Sequence, residues 1–231
     1  MSNIYVYGNK RAMPNNPLFE QFLDPNKTAV ISIDMHEGHL SEDNDCPCPA
    51  PRARDIVEPI DQFHIICRDQ GIPIIHVRTI LRKSKRDDVK GGFAAWRLVF
   101  PLHVGEIPGA EQHAIQGTKW TNLRTHIAPE DEIIETKKRL SIFYPTDLDF
   151  LLRNMNIRSI VLNGGFTDCC ILNAAFEASN FDYRVTVARD LVRGTNEEME
   201  SAALKMMSIH MALVMDSHDI ANSWKSLRPE A

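Results

Sequence analysis

The stretch VLNGGFTDCCILNAAFEASNFDYRVTVARD, residues 161–190, decides the fold. With Ser159 and Ile160 ahead of it, SIVLNGG is a short apolar run of strand length. The paired Gly164 and Gly165 then break the run, and the segment from Asp168 to Ser179 reads as a helix. RVTVARD returns to strand character. A strand, a helix of three turns and a second strand form a parallel βαβ unit, because a crossover of this length carries the chain back to the same edge.

The same grammar extends in both directions. Upstream, TAVISIDM (28–35) is an apolar strand ending in a carboxylate. From 53 to 70, Ile56, Ile60, Phe63, Ile66 and Cys67 recur at spacings of three and four, which predicts an amphipathic helix ended by Gly71. PIIHVRT and DEIIETKK predict further strands, and Asp147 to Asn156 a helix with Thr146 as its N-cap. Downstream come a helix over Glu197–Ile209, the strand ALVMDS and a short helix from Ile220 to Ser226. The pattern predicts an α/β fold, a three-layer, doubly wound and mainly parallel sheet with helices on both faces. Two parts fall outside it. Residues 1–27 are rich in Asn and Pro and are expected to lie as an arm over the surface. Residues 80–130 are irregular, and a segment this long is expected to serve as a lid or binding segment.

The chain has 231 residues, which suits one domain with a full core. Its net charge of −5 argues against a nucleic-acid partner. No apolar run reaches the ~18 residues that span a bilayer, so no membrane partner is expected. The first residues lack the basic patch and apolar core of a secretory signal, which makes the cytoplasm the expected location. Five cysteines, an odd number, favour free thiols over a disulfide framework. Cys46 and Cys48 in CPCPAP have no second Cys/His pair at finger-like spacing, so no zinc site is expected there.

In sheets of this kind chemistry gathers at the carboxyl ends of the strands. Asp34 closes the first strand, Lys137 closes DEIIETK, and Cys170 follows SIVLNGGFTDC into a helix. Each alone is ordinary: a cap, a solvated charge, a small buried thiol. Together they suit acyl transfer. A helix start and a nearby cation ease formation of a thiolate, and a carboxylate can take the thiol proton and return it to a leaving amine.

These residues carry a family likeness. Residues 161–190 resemble the nucleophile region of the isochorismatase-like cysteine hydrolases. TKKRLSIFYPTDLDFLLR (136–153) is similar to their K-x-R-x-S-x-F-x-x-T-x-L block, and TAVISIDMHEGHL to their opening strand. The likeness covers about residues 28–36, 72–79 and 131–217. It implies a triad of Asp34, Lys137 and Cys170. The T-x-x-C spacing picks Cys170 over Cys169, and the spacing to Ser141 picks Lys137 over Lys138. It further implies a cis peptide between Gly165 and Phe166, with an oxyanion hole formed by the N–H groups of Phe166 and Cys170, and a homodimer or homotetramer. The implied reaction is cysteine-dependent hydrolysis of a C–N bond in a small linear amide, carbamoyl or ureide compound, without a cofactor.

The chain also departs from the family. Where the family has Gln after its D-M pair stands His36, followed by Glu37, Gly38 and His39. Nicotinamidases of this fold hold a metal through an Asp-x-His segment and a further His after the first helix. That segment is missing, and His36 with His39 has no evident third partner, so no metal is expected and the two are read as solvated or hydrogen-bonded. Trp96, Arg97, Phe93 and Trp120, with His36 and Glu37, are the candidates for enclosing a small-molecule substrate, Arg97 gripping a carbonyl or carboxylate. Packing is the competing role for the aromatic residues. Two other functions compete: vinyl-ether hydrolysis, which the family's true isochorismatases perform without needing the cysteine, and a silent binding or redox-sensing role for Cys169–Cys170.

Overall fold

A computed structural model describes residues 2–88 and 94–228. Its centre is a six-stranded, wholly parallel sheet. β3 (Thr28–Ile33), β4 (Ile74–Thr79), β5 (Glu132–Lys137), β6 (Ser159–Gly165), β7 (Arg184–Arg193) and β8 (Ala212–Met215) lie in the order β5-β4-β3-β6-β7-β8. The chain builds outward from β3 to β5, then crosses back to β6 on the other side of β3. That reversal puts the ends of β3 and β6 side by side, where an open α/β sheet forms its crevice.

Alternation along the central strands feeds two cores. Ala29, Ile31 and Ile33 of β3 face one layer with Ile160 and Leu162 of β6. There they meet Leu148 and Leu152 of the Leu148–Asn154 helix, Ala174 and Ala178 of the Leu172–Asn180 helix, and Met207 of the Glu197–His210 helix. Val30 and Val161 face the other layer, against Ile60, Phe63 and Cys67 of the Val57–Asp69 helix and Ile220 and Trp224 of the Ser217–Leu227 helix. Both faces of β3 are buried, which is why its sequence is mainly apolar, with only the small Thr28 and Ser32 polar, rather than alternating.

Several elements differ from the sequence expectation. The region 53–70 begins as a tight 3₁₀ turn over Pro51–Ile56 and becomes α-helical only at Val57, since Pro51 enters at the first turn. The helix expected from Asp168 starts as a π-helical turn, Thr167–Ile171, before the regular helix at Leu172. The helix expected over Asp147–Asn156 runs Leu148–Asn154, and its N-cap position is Asp147 rather than Thr146, although Thr146 Oγ1 still accepts from Leu148 N–H at 3.3 Å. The arm is not featureless: β1 (Asn3–Val6) and β2 (Asn9–Ala12) pair as an antiparallel hairpin. Tyr7 and Gly8 between them both have positive φ, 51° and 79°, as a two-residue hairpin turn demands. The hairpin packs beside β8, and Tyr5 donates a 2.8 Å bond to Asp216. The 80–130 segment contains short helical turns at Trp96–Val99 and Pro101–Val104, and elsewhere it forms the bridges Leu81–Ile115 and, to the stretch just beyond β3, His36–Leu123. Phe93 lies outside the described residues.

The five cysteines are free thiols. Among the described residues no helix is long and apolar enough to cross a membrane.

Gly164 is where the two central strands meet most closely. Its φ is +109°, and a Cβ there would sit 2.3 Å from the Ile33 carbonyl oxygen. Contact that close with rigid backbone cannot be relieved by a side-chain rotation. Gly164→Ala is therefore expected to destabilise the fold by about 3 kcal/mol, from strain and displacement of β3 together. A denaturant midpoint unchanged from the parent would contradict this.

Candidate active site

Asp34 comes directly after β3, Lys137 ends β5, and Cys170 sits in the π-helical turn after β6. β5 is two strands from β3, so only a long side chain can span the gap. Lys137 does so over Thr79, its register partner at the end of β4. Its ammonium donates to Asp34 Oδ2 at 2.6 Å, to Thr79 Oγ1 at 2.8 Å, and lies 3.5 Å from Cys170 Sγ. Thr79 in turn donates through N–H and Oγ1 to Asp34 Oδ1, at 2.9 and 3.0 Å. Asp34 has φ +52°, a left-handed conformation that Asp tolerates better than most residues, and its backbone N–H donates to Val77 O at 2.8 Å. The peptide between Gly165 and Phe166 is cis.

All three side chains are almost wholly buried, with Asp34 2%, Lys137 1% and Cys170 6% exposed. Burial is the largest single influence and would raise the Asp34 carboxyl, but the charge and hydrogen bond of Lys137, with His36 and His39 nearby, together hold the group well below the usual carboxylate range. Burial would likewise lower Lys137, and Asp34 reverses that, so the ammonium is retained. A buried pair of this kind is tolerable only because each partner neutralises the other. The Cys170 thiol is pushed up by its hydrogen bond with Cys169 and by burial, against the pull of Lys137. The resting group is a thiol. Proton transfer from Cys170 to Asp34 would move negative charge from one side of the Lys137 ammonium to the other, so the cation compensates both states.

The trio opens into a cavity of about 370 Å³. Its wall is largely apolar, with Leu81, Trp96, Phe100, Leu140 and Phe166 among the lining residues. Of the residues expected to enclose a substrate, Trp96 stands on this wall. Arg97 is a correction. It is buried and pairs with Asp88, its guanidinium 5.5 Å from the Trp96 ring, so its charge is used in holding the lid turn. Glu37 points to Arg124 at 3.3 Å, and Trp120 is a packed residue covered by the Lys119 ammonium, 4.2 Å from its ring. His36 lies beneath the wall, its ring centroid 4.5 Å from that of His39.

Of the two roles expected for His36 and His39, the hydrogen-bonded one is found and the solvated one is not: both are buried and bonded, to Gly38 N–H and to the Cys48 carbonyl, and a third histidine joins them. His113, from the lid, has its ring 5.0 Å from His39 and 5.7 Å from His36. Burial lowers all three imidazoles, with repulsion from His39 adding to it at His36 and from His39 and His36 at His113; His36 falls to about 3, so the cluster is neutral near pH 7. Sequence reading missed His113 because it lies far along the chain in an aperiodic segment. The metal that the nicotinamidase resemblance implies does not fit by its own ligand set: β4 ends in Arg78 and Thr79 and continues as Ile80 and Leu81, with no Asp-x-His.

Comparison with known proteins matches this architecture. The model of the isochorismatase domain matches residues 28–219. N-carbamoylsarcosine amidase of an Arthrobacter species is 21% identical over 72% of this chain, which spans 60% of that enzyme's length. Maleamate amidohydrolase of Pseudomonas putida is 25% identical over 77% of this chain and 78% of the enzyme. The crystal structure of a cysteine hydrolase from Pseudomonas syringae superposes with a TM-score of 0.75, at 20% identity, over 90% of this chain and 96% of that one. The strand order, the reversal beside β3 and a family match over most of the length lead to one assignment: the chain belongs to the isochorismatase family of hydrolases.

Proposed function

We propose that this protein is a cysteine-dependent amidohydrolase that cleaves a C–N bond in a small linear amide, carbamoyl or ureide compound, with Cys170 as nucleophile. The observation that carries the reading is the position of Lys137 Nζ, 2.6 Å from Asp34 and 3.5 Å from Cys170 Sγ at the floor of the cavity. Asp34 takes the Cys170 proton as the sulfur attacks the carbonyl carbon. The oxyanion is received by the N–H groups of Phe166 and Cys170. Collapse of the tetrahedral adduct breaks the C–N bond, and Asp34 returns the proton to the departing ammonia or amine. Water then hydrolyses the thioester, releasing the acid and restoring the thiol. Two relatives named as amidases support C–N rather than ether cleavage. The apolar lining favours a member of that class with a hydrocarbon or flat group beside the carbonyl.

Ammonia release measured over a panel of carboxamides, carbamoyl compounds and ureides tests this. Release from at least one class, absent in Cys170→Ala, is the expected outcome. Vinyl-ether hydrolysis that survives in Cys170→Ala, with no amide turned over, would overturn it.

Thr79 has a positioning part in the same reading, since its hydroxyl bonds both Lys137 and Asp34. Thr79→Val keeps the shape and removes that link. We expect kcat to fall by roughly 10²-fold with KM little changed, as a misplaced catalytic pair costs. Thr79→Ser should recover most of the loss. An unchanged kcat in the valine variant would count against the role.

A further inference from the structure

We infer that His36, His39 and His113 form a binding site for one divalent transition-metal ion in the wall of the cavity. One nitrogen from each ring lies within 4.8 Å of the other two, and all three side chains are buried. The inference goes beyond the amide-hydrolase reading and does not depend on it.

Two further observations point to a ligand. The Nε2 atoms of His36 and His113 are buried and make no hydrogen bond. Buried polar atoms are rarely left so without a reason. His39 is oriented as a metal-binding imidazole is: its Nδ1 lies 2.8 Å from the Cys48 carbonyl oxygen, which leaves Nε2 with the lone pair. In His36, Nδ1 accepts from Gly38 N–H at 3.1 Å, which places the proton of the neutral ring on Nε2, so binding a metal there requires that bond to break and the proton to move to Nδ1. Asp34 Oδ1 lies 3.8 Å from His36 Nε2, but its charge is already balanced by Lys137, so the imidazoles and not a carboxylate define the site.

Size and chemistry select the class of ion. Three neutral imidazoles suit Zn²⁺, Fe²⁺, Ni²⁺ or Cu²⁺ and not the hard ions Mg²⁺ and Ca²⁺, which prefer oxygen. At Zn–N distances of about 2.0–2.1 Å, tetrahedral ligand atoms stand about 3.3 Å apart. The widest pair here would close by no more than about 1.5 Å, within reach of small side-chain rotations. Three protein ligands leave a position for water or a substrate atom. His39 and His113 also line the cavity that holds Cys170, so that position belongs to the same chamber.

The full chain, stripped with a chelator and dialysed, is titrated with ZnCl₂ by calorimetry and with CoCl₂ by visible absorption. One equivalent of Zn²⁺ per chain is expected, with the visible bands of low-symmetry Co²⁺. His113→Ala and His36→Gln, checked for folding by circular dichroism, should bind Zn²⁺ at least ~10–100-fold more weakly, since loss of even an outer partner costs that much. His103→Ala removes an exposed lid histidine and should bind like the parent. Should either cluster variant fail to fold, X-ray absorption of the zinc-loaded parent decides: three imidazole nitrogens are expected around the ion. Sulfur scatterers, zinc bound at well under one equivalent, or equal affinity in folded cluster variants would overturn the site. Turnover in chelated protein is a separate readout, so failure of the metal site and failure of the amidase reading are distinguishable.

Discussion

Cys170→Ala is expected to lower amide hydrolysis by at least ~10⁴-fold while leaving the fold intact. The magnitude follows from what is lost. Without the sulfur there is no covalent path, and catalysis falls back on binding and on the oxyanion donors, which preserve only a small fraction of the rate. The fold should tolerate the change because Cys170 is a small side chain in a turn, and alanine removes one atom beside the cavity rather than from a sealed core. Cys169→Ala makes the matching control. Cys169 is the less buried of the two and is not placed against Lys137 by any hydrogen bond described above, so its loss is expected to change kcat by less than about tenfold. The check is steady-state ammonia release by both variants beside a thermal melt. A reversal, with Cys169 essential and Cys170 dispensable, would move the nucleophile by one residue.

Lys137→Met has the second-largest expected effect, and it acts on stability and activity together. Methionine matches the lysine stem but leaves the Asp34 carboxylate buried without its cation. Breaking a buried pair from one side costs about 3–5 kcal/mol. Part of that cost is avoided if Asp34 takes up a proton, because burial favours its neutral form once Lys137 is gone. A protonated Asp34 can no longer accept the Cys170 proton, so kcat is expected to fall by at least ~10³-fold even where the variant folds. The double variant Lys137→Met with Asp34→Asn should regain stability and not activity. Chemical denaturation of the single and double variants separates the two effects. Equal stability of the parent and Lys137→Met would show that the pair is not coupled as described.

How far the sequence alone reached is best judged at particular residues. Asp34, Lys137 and the segment holding Cys170 stood out because each ends a strand, and strand ends in a doubly wound sheet converge whatever the loops do. The sheet itself was legible for the same reason: fully buried parallel strands are written as unbroken apolar runs. The hairpin within the arm went unseen because its two strands have only four residues each and Asn9–Ala12 is exposed throughout, leaving Tyr7–Gly8 as a weak turn signal. Arg97 and Trp120 were read by residue type alone. Their real partners, Asp88 and Lys119, are set by lid packing that has no periodicity. His113 was out of reach for a deeper reason. Its contact with His36 and His39 exists only after the lid folds back over the end of β3, and no local pattern encodes that return. The same holds for Thr79, an ordinary strand residue until Lys137 passes over it.

The most direct test of the central claim is mass spectrometry of the protein quenched with acid during turnover of an amide found in the ammonia panel. The account predicts a mass increase equal to the acyl group, located on the peptide that carries Cys170, labile to hydroxylamine and missing in Cys170→Ala. An acyl group found on another residue, or full turnover by Cys170→Ala with no adduct anywhere, would contradict it.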